Sequence, residues 1–197
     1  MPNRAVKYSR TTKETAILLK INLDGTGISK ISTGIGFFDH MLETFAKHGG
    51  FDLTIQAKGD LQVDQHHTME DLGIALGEAF SKALGDKKGI NRTGYFVFPM
   101  DESLSICAVD LSGRSFLEYR MKVAQKKIGD FETINLSNFF AGFVNGARMN
   151  LHIVLAYGKD PHHKVEACFK AFGKAMRMAC YLDKTLKGII PSTKGVL

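Results

Sequence analysis

Cysteine is scarce in this sequence: Cys107, Cys168 and Cys180 are the three it has among 197 residues. They are odd in number, widely spaced and set in apolar surroundings, so a disulfide framework is not expected. No C-x-x-C pair exists, which excludes a thiolate zinc site of that type. The expectation is buried, reduced thiols in a cytosolic protein. No apolar run approaches the roughly 20 residues needed to span a bilayer, so no membrane partner is expected. The opening "MPNRAVKYSRTTKET" has no apolar core of the secretory kind, and cytoplasmic localisation follows as an expectation. No run of five basic residues occurs, and no basic stripe is interleaved with aromatics. The net charge of +6 therefore points to a phosphorylated small molecule rather than to nucleic acid.

The pattern that is present is a repeat. "AVKYSR" and "TAILLKINL" alternate polar and apolar residues, as the strands of a hairpin do. "GISKIST" reads as a third strand. "GFFDHMLETFAKHGG" has helical apolar spacing that ends at Gly49. "FDLTIQAKG" is a strand, and "HTMEDLGIALGEAFSKALG" an amphipathic helix with Leu72, Leu76, Phe80 and Leu84 four apart. The second half runs in the same order. "GYFVFPM", "SLSICAVDL" and "SFLEYRM" are strands, "LSNFFAGFVNGARM" a helix, "NLHIVLAYG" a strand and "HHKVEACFKAFGKAMRMACYL" the closing helix. The fold class expected is α+β, a tandem duplication of a unit with a four-stranded sheet and two helices packed on one face of it. The boundary falls in "DKKGINRTG", giving repeats over 1–92 and 93–184 and a tail over 185–197.

Each half opens its last helix with His-His-x-x-Glu: His66, His67 and Glu70 in "DQHHTMED", and His162, His163 and Glu166 in "DPHHKVEA". Adjacent histidines on a helix diverge by about 100°, with the glutamate falling between them. Such a pair chelates one ion poorly but can feed two. One copy alone reads as polar residues complementing a helix dipole. Two copies at matching places argue for two mixed metal sites. Histidine with carboxylate and no thiolate suits Mn, Fe or Zn, and the oxygen content tilts the choice to Mn. His40, beside Asp39 near a helix start, and His152, mid-strand among apolar residues, are further candidate ligands. His48 sits at a helix end where a cation is welcome and is the least distinctive histidine.

"GIGFFDHML", "HHTMEDLGIALG", "DLSGR", "HHKVEACFKAF" and "PSTKGVL" together resemble the imidazoleglycerol-phosphate dehydratase family, over essentially the whole chain. The resemblance implies dehydration of D-erythro-imidazole glycerol phosphate to imidazole acetol phosphate in histidine biosynthesis. It implies a duplicated α+β fold, assembly through trimers into a 24-subunit octahedral shell, and two Mn2+ per active site lying between subunits. By motif, His40, His66, His67, Glu70, His152, His162, His163 and Glu166 would be metal ligands, four to each ion. Glu14, Glu70 and Glu166 would take catalytic roles, with Glu14 also at the substrate. Arg92, Arg114, Ser192, Thr193 and Lys194 would hold the phosphate, which suits a planar guanidinium fork, a hydroxyl and a mobile ammonium. No carbonyl activates the hydrogen that must leave, so the imidazole ring, with its nitrogens facing two metals, is expected to supply the activation.

Three positions depart from the family pattern. Gln65 and Asp160 are expected to affect how the neighbouring imidazoles are oriented, and Thr44 to weaken one phosphate contact. A dinuclear metallohydrolase of a small phosphate ester is the alternative enzyme reading. A basic RNA-binding module is the non-enzymatic one, and it gives no reason for doubled histidines.

Overall fold

A computed structural model describes residues 4–195 and residue 197. The first half runs β1 (Ala5–Thr11), β2 (Thr15–Asn22), β3 (Ser29–Ser32), α1 (Gly36–Gly49), β4 (Asp52–Gly59) and α2 (His66–Leu84). The second half runs β5 (Thr93–Met100), β6 (Ser103–Asp110), β7 (Phe116–Arg120), a short hairpin of β8 (Lys127–Ile128) and β9 (Phe131–Glu132), α3 (Leu136–Ala147), β10 (Asn150–Tyr157) and α4 (Pro161–Cys180). The expected element order is present in both halves. The β8–β9 hairpin is an insertion that two-residue strands could not announce by periodicity.

The sheets have matching orders, β1-β2-β4-β3 and β5-β6-β10-β7. Each is mixed rather than built of hairpins alone. β3 pairs parallel to β4, and β7 parallel to β10, with α1 and α3 as the crossovers. One face of each sheet is buried. In β2, Ile17, Leu19 and Ile21 point inward while Ala16, Leu18 and Lys20 alternate outward.

The helices fill the space between the sheets, and they pair across the halves. α2 lies on β1 and β2 and packs against α3; α4 lies on β5 and β6 and packs against α1. Ten phenylalanines are among the largest fully buried side chains, and the buried apolar residues of both halves form one cluster. Neither half has a core of its own. The α2–α3 approach is unusually close, and glycine is the reason. A β-carbon on Gly77 of "GIALG" would overlap the Phe143 carbonyl oxygen, and one on Gly146 of "GFVNG" the Ile74 carbonyl oxygen.

α1 ends at Gly49, where the sequence places its end. Gly50, at φ 67°, is the left-handed cap, and the Phe51 N–H donates to Ala46 O at 3.0 Å. α3 ends the same way on Arg148, at φ 51°. All three cysteines are buried free thiols, and burial pushes Cys168 and Cys180 up to about 12. No helix among the described residues is long and apolar enough to cross a membrane.

Candidate metal centre

The helix pairs run parallel, so all four N-termini meet at one end of the molecule. His40 of α1 reaches Glu166 of α4, and nine residues further along α1 Gly49 meets Gly173. Phe38 of α1 likewise contacts Phe139 of α3. Both His-His-x-x-Glu modules therefore open helices at this same end. In α4 the start is fixed by Pro161 and by Asp160, whose carboxylate accepts from His162 N at 2.7 Å and His163 N at 3.4 Å. In α2 the equivalent acceptor is Asp64, 2.7 Å from His66 N.

The second module is assembled within the chain. His162 Nε2 lies 3.0 Å from Glu166 Oε2, and His40 Nε2 lies 3.8 Å from the same oxygen. Among the described residues, His40, His162 and Glu166 are the one group of three ligand-type side chains whose donor atoms all fall within 4.8 Å of one another. Two imidazole nitrogens and a carboxylate oxygen, with no thiolate, fit a divalent ion such as manganese. The other Glu166 oxygen accepts from Lys170 Nζ at 2.9 Å. Burial pushes the Glu166 carboxyl up, but Lys170, His40 and His162 outweigh it and hold the group below its usual range, ready to ligate.

The first module is open. His66 Nε2 stands 3.7 Å from Glu70 Oε2, and both side chains are about half exposed, at 46% and 49%. Its third neighbour is Asn138 of α3, whose amide nitrogen lies 3.0 Å from His66 Nδ1. Arg148 stands to α3 as Gly50 stands to α1, so Asn138 occupies the place in the second half that His40 has in the first.

The outer histidine of each pair faces elsewhere. His66 and His67 have ring centroids 5.9 Å apart at 80°, and His162 and His163 6.2 Å apart at 82°. His67 Nδ1 pairs with Asp60 Oδ2 at 3.0 Å, and His163 Nδ1 with Glu102 Oε2 at 2.8 Å. A carboxylate on Nδ1 fixes the tautomer and leaves the Nε2 lone pair free for a ligand. These hydrogen bonds raise both imidazoles above their ordinary range. Glu102 is held well below the usual carboxylate range by His163 first and by the Asp160 N–H next. Asp60, Glu102, Asn138 and Lys170 were not singled out from the sequence. Glu102 was within reach, because it stands immediately before β6 as Glu14 stands immediately before β2.

Other expected residues lie apart from this triad. His152 is exposed on the outer face of β10, where it packs on Phe116 at 5.6 Å. Glu14 is exposed at the β1–β2 turn, close enough for its charge to raise His67. Arg92 forms a two-armed pair with Asp110, at 2.7 and 3.0 Å, and donates to Pro191 O at 2.8 Å. Arg114 is exposed in the loop after β6, whose Gly113 lies beside Leu197. Ser192, Thr193 and Lys194 thus sit between these two arginine loops, with Ser192 Oγ accepting from Lys194 N at 3.2 Å. Arg92 precedes the eight-residue β5, and Glu102 follows it. An extended strand of that length separates them by about 25 Å. Gln65 touches neither neighbouring imidazole ring through a hydrogen bond. Its amide donates to Asp130 O at 2.7 Å and accepts from Glu132 N at 2.9 Å, clipping the β8–β9 hairpin to the start of α2. Thr44 is buried in α1.

Residues 33–176 match the family model described as imidazoleglycerol-phosphate dehydratase. The chain is 56% identical to the imidazoleglycerol-phosphate dehydratase of Koribacter versatilis, over 98% of this chain and all of that protein. It is 53% identical to that of Methylobacillus flagellatus, over 98% of each chain. The Staphylococcus aureus enzyme's crystal structure superposes with a TM-score of 0.79 at 38% identity, covering 88% of this chain and 98% of that one. The Pyrococcus furiosus structure gives 0.80 at 37% identity, covering 96% and 99%. A duplicated α+β chain with two matching histidine modules thus belongs to the imidazoleglycerol-phosphate dehydratase family, and so to the hydro-lyases.

Proposed function

We propose that this protein dehydrates imidazole glycerol phosphate to imidazole acetol phosphate, with two Mn2+ per site and with each site completed by a second copy of the chain. The observation that carries the reading is the His40–His162–Glu166 triad in a chain of this family. The alternative, a phosphate-ester hydrolase, has no such support from the relatives.

Shared sites are favoured by distance. Arg92, proposed to hold phosphate, lies about 25 Å along β5 from Glu102 of the second module, too far for one small substrate. They are also favoured by the outer face of the second sheet. Tyr95, Val97, Ile106 and Phe116 are exposed there beside His152, whereas Lys7, Lys20 and Thr54 line the corresponding face of the first sheet. An apolar face carrying a stranded histidine suits contact between copies. Trimers and a 24-subunit shell are the assembly proposed.

His40, His66, His67, Glu70, His152, His162, His163 and Glu166 would hold the ions. Bound there, the ions would stabilise negative charge developing on the substrate and hold a water molecule. The protein's own groups do the rest. Asp60 and Glu102 orient imidazoles. Lys170 keeps Glu166 charged. Arg92, Arg114, Ser192, Thr193 and Lys194 hold the phosphate, and Glu14 moves a proton at the substrate.

The test is to strip the protein with chelator, reload it with Mn2+, and assay for the acetol phosphate. Recovered turnover with the phosphate still esterified is the expected result. Release of inorganic phosphate would indicate the hydrolase. Equal inactivity before and after reloading would overturn the metal-dependent lyase. Sizing of the stripped protein should show a smaller particle if ions bridge copies.

A further inference from the structure

The residue after Glu70 turns the other way. Asp71 is 8% exposed, and its carboxylate meets four donors on the β1–β2 hairpin. Arg10 Nε and Nη2 approach Oδ1 at 3.0 and 2.9 Å. Thr15 Oγ1 and Thr12 Oγ1 approach Oδ2 at 2.6 and 3.2 Å. Thr12 Oγ1 also accepts from the Glu14 and Thr15 amides at 3.2 and 3.0 Å, and Thr12 N donates to Thr15 O at 2.9 Å. Every fixed point of the turn "TKET" therefore leads to one buried carboxylate, and Glu14 sits at the tip.

The other half shows what this arrangement is for. Glu102, the counterpart of Glu14, is fully engaged. It binds His163 Nδ1, the Lys159 and Asp160 amides and Ser103 Oγ. Its turn is held by those bonds, and the counterpart of Asp71 is Ala167. Among the described residues the Glu14 side chain has no hydrogen bond or ion pair, so nothing of its own holds it. Where the turn glutamate is bound, no prop exists; where it is left open, a buried carboxylate braces the turn. A desolvated carboxylate is a poor way to gain stability alone, but a good way to fix a geometry.

We propose that Asp71 is a positioning residue that holds the Glu14 carboxylate beside the first histidine module. The proposal rests on Glu14 acting at the substrate. The experiment compares Asp71→Asn, Glu14→Gln and the double variant in the manganese-loaded assembled enzyme. Asp71→Asn should lower kcat about tenfold, change KM by less than about threefold, and leave Mn2+ affinity unchanged. The Glu14 and Thr15 amides should exchange hydrogen faster. In the Glu14→Gln background the same substitution should cost less than about threefold. An equal loss in both backgrounds, an unchanged kcat, or loss of Mn2+ binding would overturn the proposal while leaving Glu14's role standing. Full activity of Glu14→Gln alone would overturn Glu14's role, and the proposal with it. Should Asp71→Asn not fold, Thr15→Val removes the shortest of the four bonds, and Thr15→Ser should restore activity.

Discussion

The two histidine modules have the same residues at the same helix positions and differ in what surrounds them. The second has a third ligand-type side chain, His40, in place, a buried glutamate and a lysine that keeps that glutamate charged. The first has Asn138 where a histidine would complete it, Ile74 where the lysine would be, and a glutamate open to solvent. Duplication supplied two equal frames. Divergence then left one module closed within the chain and one facing outward, as the proposed sharing of sites between copies requires.

The comparison breaks most completely if the frame is lost. Gly77→Val puts a branched side chain into the Phe143 carbonyl, and backbone there cannot yield. A destabilisation of about 3 kcal/mol or more is expected, read as a fall in the urea midpoint. Next come the carboxylates behind the imidazoles. Glu102→Gln and Asp60→Asn should each weaken Mn2+ binding by roughly 10–100-fold in a titration followed by electron paramagnetic resonance. If only one does so, the modules are less alike than their geometry.

Asn138→His tests the asymmetry directly. It should give the first module its own third ligand, so that disassembled chains bind about two Mn2+ where the parent binds about one. An unchanged stoichiometry would show that Asn138 is not what keeps that module open. pH gives a subtler contrast. His67 and His163 are raised in the folded protein, so their contribution is complete below about 6.5 and is lost as pH rises through the raised value. Glu102 is depressed, so its contribution is present above its ordinary 4.5 and is lost as pH falls. The metal-free protein should therefore melt highest between those limits, and His163→Asn should flatten the decline on the alkaline side. The smallest effect is at the helix ends. Arg148→Gly should stabilise by about 0.5–1 kcal/mol, because only glycine adopts that left-handed cap without cost.

The repeat was legible because both halves keep strong periodicity and the same punctuation. The divergence of the paired histidines was legible too, since helical geometry fixes it. What lay beyond the sequence was set by contacts between distant segments. Asp60 and Glu102 come from turns, and no spacing rule links a turn residue to an imidazole seven or 61 positions away. Gln65 is such a case, because adjacency to His66 suggested an effect on that ring and gave no sign of its actual partners. Its side chain instead reaches across to Asp130 and Glu132. Asp71 was hidden by its motif, since "HHTMED" draws the eye to Glu70, which faces the other way.

The cross-packing of α1 with α4 and α2 with α3 has a consequence for how such a chain comes into being. Exchange the linker for a gap, and each half presents two helices whose partners belong to the other. That is the isologous contact of a twofold dimer, with its axis along the parallel helices and Phe45 meeting its counterpart Phe143 at 6.5 Å. The first half leaving the ribosome is therefore an unfinished protein with apolar helices bare. Fragments cut between Asp86 and Asn91 should be insoluble apart and active once mixed.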